Sequence, residues 1–210
     1  MNQQPDGKAE QQHYFSATPA ADSVTRVVRV ELPDVSLRLT TDAGVFSARA
    51  LDPGTRVLLE NAPPPDADGD ILDLGCGYGP IALTMATRCP DRRVLGVDVN
   101  TRAIELANHN AADAGLANVS CQLDTEVPAE ARFAAIYSNP PIRVGKAALH
   151  ELLLRWLPRL RPAGTAYLVV QRNLGADSLA RWLGEQGYEV DRISSHRGYR
   201  VLAVQVMPTD

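Results

Sequence analysis

From residue 70 onward the apolar positions follow two alternating periods. Apolar runs of five to eight residues predict strands at 70–74, 93–98, 118–123, 132–138, 165–171, 187–194 and 199–206. Between them, apolar residues recurring at helical spacing predict helices at 78–88, 101–114, 146–159 and 176–186. A series of this kind implies an α/β fold with a mainly parallel sheet and helices on both faces. The last two strands flank Ser195-His196-Arg197-Gly198 and are expected to pair antiparallel. Right-handed crossovers then put the ligand crevice outside the carboxyl ends of the strands. Upstream, residues 24–32 and 35–40 alternate around Pro33-Asp34, which predicts a β-hairpin extension. Gly44-Val45-Phe46-Ser47 follows as a turn or short strand. Asp52-Pro53 supplies an N-cap and an N1 proline for a helix to Glu60. Residues 1–22 are polar and are expected to form a mobile tail in which His13-Tyr14-Phe15 could dock on the domain. The expected organisation is that tail, a hairpin-and-helix unit over 23–62, and the main domain over 63–210.

Composition adds a few exclusions. The 210 residues suffice for one domain with a full core. No run nears the ~20 uninterrupted apolar residues of a membrane span, and the polar N-terminus shows no secretory signal. Cys76, Cys89 and Cys121 are odd in number and widely spaced, which argues against disulfides or a zinc cluster and for the reducing cytoplasm. No metal site is expected. Net charge is −4, but residues 141–210 hold ten basic against six acidic side chains. That third suits a rim facing phosphates; ordinary solvated charges explain it equally well.

Two short motifs carry chemistry. Asp70-Ile-Leu-Asp-Leu-Gly-Cys-Gly-Tyr-Gly79 is an apolar strand that ends in an acid, Asp73, and opens into glycines 75, 77 and 79 ahead of a helix. Glycines there allow a tight turn and let a ligand lie on bare backbone. A dinucleotide fingerprint needs a glycine where Pro80 stands. The Gly-x-Gly-x-Gly pattern instead resembles the first motif of class I S-adenosylmethionine (SAM) methyltransferases, in which Asp73 would face the cofactor's ammonium. Asp98 closes the next strand, at about the 20-residue interval usual for a ribose-binding acid. Asn100 after it reads as a helix cap. Asp124, after the third strand, is either a turn aspartate or a contact for the adenine amino group.

The second motif, Asn139-Pro140-Pro141-Ile142, follows the strand ending near Tyr137. Its prolines stiffen the backbone, so the Asn139 amide oxygen and the Pro140 carbonyl can face one small volume as two fixed acceptors. Two acceptors suit an exocyclic NH2 whose lone pair would otherwise be delocalised. Together with His13-Tyr-Phe-Ser16, Gly44-Val-Phe-Ser47 and Gly198-Tyr-Arg-Val-Leu202, this motif resembles the "methyltransferase small" family of class I SAM methyltransferases. The family includes the ribosomal small-subunit RNA guanine-N2 methyltransferases. The resemblance implies a Rossmann-like, seven-stranded, mainly parallel sheet with the last strand antiparallel. It further implies SAM held by Asp73, Gly75, Cys76, Gly77, Asp98, Val99, Asp124 and Asn139, with Phe46 either covering cofactor or base or serving as core. Asn139, Pro140, Pro141 and Ile142 would hold the acceptor. The fourth motif position is usually aromatic in such enzymes and stacks on a base or a glutamine; here it is Ile142. The implied acceptor is a guanine amine of ribosomal RNA or the small ribosomal subunit. Adenine N6, a protein glutamine amide, a small-molecule amine, and a non-catalytic SAM- or RNA-binding module remain as alternatives.

Overall fold

The computed structural model describes residues 24–207. The expected tail, His13-Tyr14-Phe15-Ser16 included, lies outside the described residues. Nine strands form two sheets among the described residues. β1 (Arg26–Glu31) and β2 (Ser36–Thr41) make an antiparallel hairpin. The main sheet holds β3 (Ile71–Leu74), β4 (Val94–Asp98), β5 (Val119–Leu123), β6 (Phe133–Ser138), β7 (Leu160–Gln171), β8 (Tyr188–His196) and β9 (Tyr199–Val206), in the order β5-β4-β3-β6-β7-β9-β8. Of the pairs in this sheet, only the two made by β9 are antiparallel.

The strand order reverses between β3 and β6, the topological switch point at which open α/β sheets leave a crevice. Asp73 stands opposite Tyr137 across these strands. The Ser138 hydroxyl donates to the Leu74 carbonyl at 2.6 Å, tying their ends together. The glycine turn and Asn139 therefore leave the sheet at one level.

Among the described residues five α-helices cover the sheet: α1 (Pro53–Asn61), α2 (Pro80–Arg88), α3 (Thr101–Asp113), α4 (Lys146–Trp156) and α5 (Ala176–Glu185). Side chains alternate along β3, so Ile71 and Leu72 enter different cores. One core joins Ile71 and Tyr137 to Leu58 of α1, Leu83 of α2, Ala103 of α3, and Val30 and Leu39 of the hairpin. The other joins Leu72 and Ile136 to Leu153 and Trp156 of α4 and Leu179 and Leu183 of α5.

Buried polar side chains hold the hairpin and the helix starts in place. Asn110 of α3 accepts from Thr40 N at 2.7 Å and donates to Thr40 O and Tyr78 O, both at 2.8 Å, joining β2 to the glycine turn. Asp52 caps α1 by accepting from Thr55 N at 2.9 Å, with Pro53 in the first turn. Two expectations needed correction. β7 starts at Leu160 rather than 165, because a register shift opposite Phe133–Ala135 lets Leu160 pair before the regular ladder begins. The helix expected over 146–159 stops at Trp156 and tightens into a 3₁₀ turn, Leu157–Arg159, around Pro158.

Candidate active site

The glycine turn adopts conformations that residues other than glycine rarely take, with φ of 81°, 55° and 95° at Gly75, Gly77 and Gly79. The three glycines do different work. A Cβ on Gly79 would lie 2.6 Å from Leu83 Cδ1, so Gly79 lets α2 pack closely. A Cβ on Gly75 or Gly77 would meet nothing within 4 Å. Their bare backbone borders open space at the sheet's carboxyl end, where a ligand can lie on it. Cys76 between them turns inward, its side chain packed with Cys121 and Ala107, and contributes backbone alone to the rim.

Asp73 is wholly buried on the α2 side of β3. Its Oδ2 accepts from Ala82 N at 2.8 Å and so serves the start of α2, where the N-cap Gly79 has no side chain to offer. Its Oδ1 is buried without a partner among the described residues. Burial, with a smaller contribution from the Asp98 charge, pushes this carboxyl up to about 8, against the hydrogen bond from Ala82. An orphaned, buried carboxylate oxygen beneath a bare glycine turn fits a cationic ligand group such as the ammonium of SAM.

Asp98, at the end of β4, accepts from Gly77 N at 2.9 Å and Asn100 N at 3.0 Å. Burial raises its carboxyl, while these backbone bonds oppose the shift. With a further backbone hydrogen bond from Val99, the carboxylate still has acceptor capacity that a hydroxyl can use. Val99 beside it is exposed. Asn100 caps α3 through Arg102 N and Ala103 N, and its Nδ2 donates to Gly44 O at 3.2 Å. That bond, with Arg102 to Ala43 O at 2.9 Å, pins the 42–50 turn against the end of β4. Phe46 on this turn is 52% exposed, so the core alternative for it falls away. Asp124, after β5, pairs through Oδ2 with Arg155 of α4 at 2.7 Å.

After β6, Asn139 is half-buried. Its Nδ2 donates to Asp52 Oδ1 at 2.7 Å and to Thr55 Oγ1 at 3.0 Å. Its Oδ1 has no partner among the described residues and is reached by solvent. Pro140 O accepts from Ile142 N at 2.8 Å, which leaves it one lone pair. Ile142 packs against the core beneath α4 and α5 rather than standing free as a stacking plate. The link from Asn139 to Asp52 and Thr55 was not visible in the sequence. The N-cap signal at Asp52 marked the position without revealing its second bond. A separate cleft of about 470 Å³, bordered by Asp34, Leu59 and Arg88, contains neither motif.

Comparison with known proteins agrees with this arrangement. Residues 36–203 match the family model "Methyltransferase small domain". Over 194 residues the chain is 37% identical to "Uncharacterized protein YbxB" of Bacillus subtilis, covering 91% of this chain and 96% of that protein. It is 30% identical over 189 residues to "Ribosomal RNA small subunit methyltransferase C" of Shewanella amazonensis, covering 88% of this chain and 53% of the relative. The chain thus spans about half the length of the ribosomal RNA small subunit methyltransferases it matches. Among solved structures, a T. thermophilus 16S rRNA N2 methyltransferase in complex with AdoMet and guanosine superposes with a TM-score of 0.71 at 26% identity, over 90% of this chain and 52% of the other. The sheet order, the open glycine turn and the match over residues 36–203 lead to one conclusion: the chain belongs to the methyltransferase small domain family and is a SAM-dependent methyltransferase of the class I fold.

Proposed function

We propose that this enzyme methylates the exocyclic N2 amine of a guanine in ribosomal RNA, within the cytoplasm. The carrying observation is the Asn139 amide, whose two N–H groups are engaged behind it and whose oxygen is free, beside a glycine turn with an orphaned buried carboxylate oxygen. In this reading Asp73, Gly75, Gly77 and Asp98 hold SAM, with Val99, Phe46 and Asp124 along its rim. Bound SAM supplies a sulfonium methyl, and transfer forms a carbon–nitrogen bond as the carbon–sulfur bond breaks and sulfur keeps the electron pair. Asn139 Oδ1 and the remaining lone pair of Pro140 O accept the two amine hydrogens, turning the nitrogen lone pair out of the conjugated plane. Pro141 keeps that carbonyl stiff. The methylated nitrogen is cationic and gives its surplus proton to water, so no strong side-chain base is required.

Two further observations support an RNA acceptor. Lys146, Arg172 and Arg197 are exposed and without partners among the described residues. Arg172 and Arg197 flank the contact between the end of β7 and the β8–β9 turn, where Arg172 N donates to Gly198 O at 2.8 Å. This is the end of the sheet that carries Asn139, and unpaired cations there suit phosphates. The named relatives, a ribosomal RNA methyltransferase and a structure holding AdoMet and guanosine, support the same acceptor.

The test is transfer of labelled methyl from SAM into ribosomal RNA, followed by nucleoside analysis for N2-methylguanine. Asn139→Ala is expected to leave SAM affinity within about twofold and to cut transfer by about 10² or more. Label appearing in protein or transfer RNA instead, or an Asn139→Ala enzyme with full turnover, refutes the assignment.

A further inference from the structure

We propose that Asp52 and Thr55, at the first turn of α1, are positioning residues that set the polarity of the Asn139 amide. They thereby restrict the acceptor to a group that donates hydrogens. This rests on the reading of Asn139 as the residue that holds the acceptor amine.

A primary amide can present either its oxygen or its NH2 to the cleft, and the two choices have opposite consequences. The oxygen holds an amine by its hydrogens; the NH2 opposes those hydrogens and repels the amine. A bare asparagine after a strand has no reason to prefer one face. Here Asp52 Oδ1 stands 2.7 Å from Asn139 Nδ2, and Thr55 Oγ1 stands 3.0 Å from it. A carboxylate only accepts, so the amide atom facing it must be the nitrogen. The two contacts use both N–H groups, and rotation of the amide would sacrifice them and set oxygen against oxygen. Asn139 Oδ1 is therefore the atom left toward the cleft.

Asp52 is itself held. The oxygen that receives Asn139 also accepts from Thr55 N at 2.9 Å as the helix cap. Thr55 is 4% exposed, so its hydroxyl has little freedom to turn away. Next to them, a Cβ on Gly54 would lie 2.8 Å from the Tyr199 ring and 3.0 Å from Asp52 Oδ1, so the first turn of α1 sits tightly between β9 and Asn139. The arrangement also has an electrostatic side. Positive charge develops on the acceptor nitrogen during transfer, and Asn139 Oδ1 faces it with a carboxylate hydrogen-bonded behind the amide, which strengthens the amide as an acceptor.

Asp52→Ser separates positioning from folding, because serine caps a helix about as well as aspartate does while its shorter side chain withdraws the oxygen that reaches Asn139. Expected results are a kcat lower by about tenfold or more for Asp52→Ser and for Thr55→Val, with SAM affinity and acceptor KM changed much less. Thr55→Ser, which restores the hydroxyl, is expected to recover most of the rate. A direct readout needs no turnover: hydrogen exchange with solvent at the side-chain NH2 of Asn139 in ¹⁵N-labelled protein, assigned by its loss in Asn139→Ala. Slow exchange is expected in the unmodified enzyme and markedly faster exchange in Asp52→Ser. If Asn139→Ala abolishes transfer while Asp52→Ser and Thr55→Val retain it, the positioning role is refuted and the acceptor reading stands. If Asn139→Ala itself retains transfer, both fall. Unchanged NH2 exchange in Asp52→Ser also overturns the proposal.

Discussion

Replacing Asp73 by asparagine tests how the buried acid engages the cofactor. In the protein alone this carboxyl titrates at about 8 because burial and the Asp98 charge both oppose ionisation. At pH 7 the protonated form is therefore favoured. A cationic ammonium reaching the orphaned Oδ1 favours the ionised form and lowers its pKa. SAM binding near pH 7 should therefore release close to one proton, and affinity should rise about tenfold per pH unit between roughly 6 and 7.5, equivalent to about 1.4 kcal/mol per unit. The asparagine of Asp73→Asn retains an oxygen for the Ala82 N–H, so α2 keeps its start, but it turns an NH2 toward the cation. The expected loss is that of one charged hydrogen bond, about 1.5–3 kcal/mol or roughly 10- to 150-fold at pH 8, shrinking at lower pH where the native acid must first ionise. Titration calorimetry in two buffers of different ionisation enthalpy measures the proton release directly. Stability carries the same signature with opposite sign. The unfolded chain ionises near 3.8 and the folded one near 8, so the fold binds an extra proton in that window. The cofactor-free protein should lose stability as pH rises through it, by up to about 1.4 kcal/mol per unit. Asp73→Asn should flatten the curve. No proton release, together with equal affinity for both proteins at pH 8, would refute the reasoning.

Two other sites probe the framework around the cofactor. Asn110→Ala removes three bonds joining β2 and the glycine turn to α3, and is expected to cost about 2–4 kcal/mol in urea unfolding. Gly77→Ala and Gly79→Ala should part company. The first has open space for its Cβ and a positive φ, so it should lose SAM binding for about 1–2 kcal/mol of stability. The second, driven against Leu83, should lose more stability than that, as thermal melts and SAM titration of both variants would show.

Local chemistry made much of the fold legible. Asp52-Pro53 and Asn100 marked helix starts because a short acceptor side chain ahead of an apolar period has few other uses, and both cap helices. The parallel strands were readable because burial on both faces leaves runs such as Ile71–Leu74 almost wholly apolar. Asp73 stood out in the sequence as an acid inside such a run. What stayed hidden depends on distant partners. Nothing near Asn110 announces that it will saturate Thr40, and nothing near Asp124 announces Arg155. The glycines looked equivalent, yet only packing shows that Gly79 makes room for Leu83 while Gly75 and Gly77 face open space. The early start of β7 escaped because Arg161-Pro162-Ala163-Gly164 reads as a turn, and pairing at Leu160 precedes it.

The bond between Asp52 and Asn139 spans 87 positions of chain. During synthesis, the first of these residues waits until β6 and the prolines after it have left the ribosome before it meets the second. Loop closure on that scale is slow to form and early to break. A nascent or partly unfolded chain could therefore retain the glycine turn and still lack an oriented amide. Methyl transfer would then report on completed folding more stringently than cofactor binding does.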